Sequence, residues 1–108
     1  MAEVYKKLAQ LEVLTGAPAL VTPVYTATGV TALIKGMRLV STDASPRTCK
    51  IWHDGAADVN LILPAVTIDP NGFAENDTTV ILEPGDTLYA QASAATSITL
   101  TLYGLELS

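Results

Sequence analysis

A single histidine and a single cysteine carry most of the nucleophilic or proton-transfer capacity of this 108-residue chain. His53 closes the stretch "TCKIWHD", with Asp54 beside it and Asp58 in the following "DGAAD". A hydrolytic triad needs an imidazole oriented by a carboxylate and a nucleophile within hydrogen-bond reach. Residues 48–54 alternate as a strand, with Cys49, Ile51 and His53 on one face and Lys50, Trp52 and Asp54 on the other. Asp54 therefore points away from His53. Cys49 shares the face of His53 but has Ile51 between them, and it reads as a small buried apolar thiol. His53 reads as a surface or strand-edge histidine. No catalytic residue is expected, and the chain is not expected to be an enzyme.

Metal and phosphate chemistry fare no better. Zinc sites use more Cys and His than one of each. "DGAAD" and "DPNGFAEND" offer oxygens for calcium, but neither has the spaced carboxylates and closing Glu of an EF-hand loop. Asp and Asn also serve turns without a metal. "GDTLYAQAS" lacks the glycine-rich turn and following helix that cradle phosphate. Nothing selects two acids as a glycosidase pair. No cofactor and no metal are expected. Trp52, Tyr5, Tyr25, Tyr89 and Tyr103 remain open to three roles: core, interface anchor or sugar platform.

Charge is scarce and uneven. Charged residues make up 16% of the chain, against about 25% in a typical soluble domain. Apolar residues make up 49%. Interface cores are depleted in charge, so this composition points to a subunit of an assembly. The net charge is −5. All six bases, Lys6, Lys7, Lys35, Arg38, Arg47 and Lys50, fall in the first fifty residues, and eight acids with no base follow. The two parts carry +3 and −8. That balance disfavours sequence-independent nucleic-acid binding. The densest apolar run, "LILPAV", is too short to span a bilayer, and the first residues lack a signal-peptide core. A soluble protein outside membranes is expected. One cysteine forbids an intrachain disulfide and favours an intracellular origin.

The elements that must position any site read as strands. Residues 3–14 fit a helix or a strand, with a strand after a frayed start preferred. "LVTPVYTA" (20–27) is β-rich, and Pro23 confines it to an edge or bulge. "TALIKGMRLVST" (31–42) is the central candidate, with a bulge or close approach at Gly36. Strands follow at 48–54, 59–63 and 65–68, split at Pro64. "DPNGFAEND" (69–77) reads as a loop. "TTVILE" (78–83) and "DTLYAQAS" (86–93) flank the Pro84-Gly85 turn. In the last strand, 96–107, Ile98, Leu100 and Leu102 share a face, while Leu105 and Leu107 have the opposite parity. Either an extra residue near Gly104 restores the face, or both faces are covered, one by a partner chain. The sum is an all-β fold: one antiparallel β-sandwich or jelly roll of about eight strands, a single domain over residues 1–108.

These segments resemble the small β-proteins of tailed-bacteriophage structural modules. Matching positions run from Thr22 to Ala27, Leu33 to Thr42, Thr48 to His53, Asn76 to Leu82, Pro84 to Ser93 ("GDTLYAQAS" for the family's "GD-iya-aS") and Leu102 to Leu107. Where the family's third strand usually ends in "vcN", this chain reads "VST". The resemblance implies a virion subunit assembled in the host cytoplasm: a capsid cement or decoration protein, often trimeric, in contact with the major capsid protein. A tail or baseplate component, or a carbohydrate-binding attachment module, is the alternative. Partner contact is expected at Lys6, Lys7, Lys35, Arg38 and Trp52.

Overall fold

First strand pairs with last, second with next to last, and so inward along the chain. That nesting organises the computed structural model, which describes residues 6–16, 22–55, 60–76, 79–94 and 98–107. The strands are β1 (Lys6–Glu12), β2 (Tyr25–Thr26), β3 (Thr31–Ser41), β4 (Arg47–His53), β5 (Leu61–Ile68), β6 (Phe73–Asn76), β7 (Val80–Leu82), β8 (Thr87–Ala92) and β9 (Ile98–Leu107). Antiparallel pairs β1·β9, β2·β8, β3·β6 with β3·β7, and β4·β5 form the nest. Two further ladders, β9·β3 and β8·β4, join the pairs into sheets. Sheet A runs β1-β9-β3-β6, with β7 beside β6 on the same edge of β3, and sheet B runs β2-β8-β4-β5. This is the long hairpin wound into two facing sheets of a jelly roll.

Alternation writes the core. In β8, "TLYAQA", every second residue (Leu88, Ala90, Ala92) is buried. Ile34, Met37 and Leu39 of β3 and Leu100 and Leu102 of β9 meet Cys49 and Ile51 of β4 and Ile68 of β5 between the sheets. Full burial of each large side chain contributes about 2 kcal/mol.

The irregularities hold that alternation in place. β3 carries an extra residue at Lys35, since Ile34 faces Gly104 and Gly36 faces Tyr103. The bulge read at Gly36 is there, and it moves the buried set from Ala32 and Ile34 to Met37 and Leu39 without leaving the core. The extra residue expected in β9 near Gly104 lies instead in its neighbours, at Lys35 and at Leu8 of β1. β9 runs on unbroken, because the neighbours supply the twist. Gly104 is required for a different reason: a Cβ there meets the Leu33 carbonyl oxygen at 1.9 Å.

Three other expectations change. The two strands split at Pro64 are one, β5, and it is the edge of sheet B, where a missing N–H costs no ladder bond. Its register slips there: Cys49 faces Val66 and Ile51 faces Leu63. "DPNGFAEND" is not all loop. It turns through Asp69–Gly72, with the Gly72 N–H donating to the Asp69 carbonyl at 2.9 Å and Asn71 at φ 54°, and Phe73–Asn76 then takes the free edge of β3. The strand expected from residue 20 is only Tyr25–Thr26, at an edge as Pro23 requires, and residues 20 and 21 lie outside the described residues. The first turn of the 3–14 stretch, residues 3–5, also lies outside them, while 6–12 is strand. The Pro84-Gly85 turn forms as read, with Gly85 at φ 95° and the Asp86 N–H donating to the Glu83 carbonyl at 2.9 Å.

At one end of the sandwich a polar clamp ties the sheets. The Tyr25 hydroxyl of β2 donates to Glu106 Oε2 of β9, and Lys6 Nζ of β1 lies 2.6 Å from Glu106 Oε1. Hydrogen bonds from Lys6 and Tyr25 hold the Glu106 carboxyl below its ordinary range, and burial together with Glu106 pushes the Tyr25 phenol up.

Two outcomes follow. Gly104→Ala forces Leu33 backbone aside and costs about 3 kcal/mol in urea unfolding, whereas Gly36→Ala, with open space around its Cβ position, stays within about 1 kcal/mol. The Glu106 carboxyl is depressed in the folded state, so its stabilisation is present above its unfolded pKa and fades as pH falls through the folded value. Glu106→Gln should remove that part of the acid-side slope in urea midpoints measured across the carboxylate range.

Candidate interaction surface

Residues directly opposite in a ladder share a sheet face. Leu39, Leu100 and Leu11 stand in one row and point inward, so the rows between them point out. Three outward rows run from β9 through β3 onto the described strands at its other edge. Leu33 lies between Ile81 and Leu105. Arg38 lies between Glu75 and Thr101, and Val40 between Phe73 and Thr99. The outer face of sheet A thus has an apolar row at each end and a charged row between them. Ile81 and Phe73 are each 58% exposed and Tyr103, on the same face, 44%. Leu105 is buried but stands apart from the inter-sheet core.

The charged row is organised. The Arg38 guanidinium lies 4.7 Å over the Phe73 ring and 4.0 Å from Glu75 Oε2. The cation–π contact keeps Arg38 flat against the sheet. Lys7 Nζ donates to Gln10 Oε1 at 3.0 Å, and Lys35 Nζ to Thr79 Oγ1 at 3.4 Å. Lys6 is engaged with Glu106. Of the expected contact residues, Lys7 and Arg38 therefore belong to one face by register, and Lys35 sits at the bulge between them. Trp52 is elsewhere, on β4 of sheet B, opposite Tyr89 and Leu61. It is 4% exposed, yet its register sets it on the outer face of sheet B, apart from the inter-sheet core, and among the described residues its Nε1 has no hydrogen-bond partner. Phe73 and Ile81 carry the face, and neither has a clear sequence signal: the first follows a run of turn residues, the second sits between the core-facing Val80 and Leu82.

The residues with potential chemistry are dispersed. His53 shares an inward row with Leu88, and its Nε2 lies 3.2 Å from Asp86 Oδ2. Asp86 Oδ2 also accepts the Glu83 N–H at 3.0 Å. Asp54 does not orient His53; it sits at φ 64° and its N–H donates to the Thr87 carbonyl. Asp58 and Tyr5 lie outside the described residues. Cys49 is fully buried, and burial pushes its thiol up to about 12, which suppresses the thiolate. Among the described residues no three His, Cys, Asp or Glu side chains converge on a metal-sized site. Where β5 and β6 face each other at the open side of the sandwich, Met37, Leu39, Leu63, Val66 and Ala74 line a cavity of about 160 Å³ with Glu75 at its margin.

No protein-family description matches the sequence, and no curated protein matches it. Among solved structures the chain is similar to a family 35 carbohydrate-binding module from Clostridium thermocellum, at 15% identity and a TM-score of 0.43 over 100% of this chain and 99% of that one. It is also similar to an exo-β-1,3-galactanase from Phanerochaete chrysosporium, solved with galactose, at 12% identity and a TM-score of 0.33. That match covers 95% of this chain and 30% of the galactanase. Likeness at this level assigns neither a ligand nor an activity.

Filling the side cavity tests its shape. Ala74→Val adds two methyl groups against Leu39 and Val66 on a strand that favours β-branched residues, and should raise stability by about 1 kcal/mol in urea unfolding.

Proposed function

We propose that this chain is a non-catalytic structural subunit of a virion, a cement or decoration protein of the phage head, and that the outer face of sheet A is hidden by a neighbouring chain in the particle. The observation that carries the reading is the pair of apolar side chains on that face, Ile81 and Phe73, each 58% exposed on a chain that uses few charges. Covering several hundred Å² of apolar surface contributes several kcal/mol per copy, at about 25 cal/mol per Å² before association costs. The partners in this reading are further copies of the chain and the major capsid protein, with neither nucleic acid nor membrane. The phage resemblance supports the setting, assembly in the host cytoplasm and a trimer among the possible oligomers. A tail or baseplate position uses the same face.

A second reading, a carbohydrate-binding attachment module, draws on one observation: the Phe73 and Tyr103 rings are exposed on the face that also presents Arg38 and Glu75, and sugars stack on rings while hydrogen bonding to such groups.

Co-sedimentation with phage particles separates the two. The structural reading expects saturable attachment that Ile81→Asp weakens at least tenfold (~1.4 kcal/mol), and binding nowhere on a glycan array. Glycan binding lost on Tyr103→Ala, with no attachment to particles, would replace it with the second reading.

A further inference from the structure

The outer rows of sheet A match each other in a particular way. Each of the three rows crossing β3 pairs residues of one kind: Leu33 with Ile81, Arg38 with Glu75, and Val40 with Phe73. β6 and β7 occupy the same edge of β3, so the three pairs form two parallel columns. Turn a second copy over about an axis that runs along β3, midway between the columns. Leu33 then faces the second copy's Ile81, Arg38 faces its Glu75, and Val40 faces its Phe73, with every contact made twice. A two-fold contact requires this self-complementarity.

We propose that a second copy of this chain docks on the outer face of sheet A, with the two β3 strands running side by side about a two-fold axis. The inference rests on the reading that this face is hidden, and it names the occupant. Charge supports the choice. At −5 each, two copies repel over most of their surface. Within the overlap Arg38 stands against the second copy's Glu75 on both sides of the axis, so the contact brings opposite signs together. The central ion pair becomes a four-membered network, in which Arg38 and Glu75 keep their own contact and gain one across the axis. Face-to-face packing of sheets at a small angle is the geometry such a dimer adopts. The contact makes pairs, unlike the trimer that the phage resemblance implies.

The test is mass in solution by sedimentation over a dilution series up to ~100 µM, a range that captures weak association. The expected species is a dimer. Arg38→Glu and Glu75→Arg should each weaken it at least ~tenfold, and the double exchange should restore it to within ~threefold, because opposite signs then return both within each copy and across the axis. Ile81→Asp should split it. All three substituted positions face outward, and circular dichroism checks that each of the four variants is folded. A monomer throughout the series overturns the inference, as does a dimer indifferent to these changes. Were the monomer still to attach to particles through Ile81, the structural-subunit reading would stand and only the self-pairing would fall. Were the dimer to behave as described without particle attachment, the reverse would hold.

Discussion

The ladder between β3 and β9 is the constraint on which the rest of this molecule depends. It is the longest pairing in the structure, from Thr31 opposite Leu107 to Ser41 opposite Ile98. It lies at the centre of sheet A and supplies inward residues to the core and outward residues to the exposed face. Its weakest tolerance is at Gly104, where the Leu33 carbonyl stands at the site a side chain would take. The bulges at Lys35 and Leu8 flank that approach from both sides. They let β9 pass straight between two neighbours that each carry one residue more, and they hold Met37 and Leu39 in the core after Ala32 and Ile34.

Charge is placed by this nesting. The bases of the first fifty residues and the acids of the remainder are far apart in sequence, yet first strand lies on last and third beside sixth. Lys6 consequently meets Glu106, and Arg38 meets Glu75. The asymmetry of the chain does not become two poles. Surface pairs of this kind contribute little each, and their larger effect is to leave a face whose signs are balanced.

Much of the fold was legible because period-two alternation is a strong signal when strands are half-buried. β3, β4, β8 and β9 were read close to their observed bounds, and the turn at Pro84-Gly85 followed from the chemistry of those two residues. The errors share a cause. Pro64 and the Asp-Pro and Asn-Gly pairs of residues 69–72 signal strand ends, but an edge strand accommodates proline and a tight turn spends only four residues. β6 was lost in that way, and Phe73 with it. The exposed face is legible only in outline: Leu105 is out of phase with the alternation of Ile98, Leu100 and Leu102 in β9, a sign of a second covered surface. Ile81 gave no sign of its own, since which face of a short apolar strand looks outward depends on the strand beside it. His53 and Asp86, 33 residues apart, meet only because β4 and β8 are neighbours.

Nesting also shapes how such a chain reaches its native state. The innermost pair, β4 with β5, joins segments separated by a short connection, whereas β1 and β9 bring together residues nearly a chain length apart, Lys6 with Gly104. Loop-closure entropy grows with that separation, and topologies dominated by distant pairings fold on millisecond to second timescales. Formation from the inside outward is the route of least entropic cost, each closed pair shortening the effective loop for the next. Until the outermost pair zips, β9 presents one unbonded edge and the row of Ile98, Leu100 and Leu102 beside it. The interval between synthesis and closure is therefore when this protein is most exposed to misassociation with its own kind.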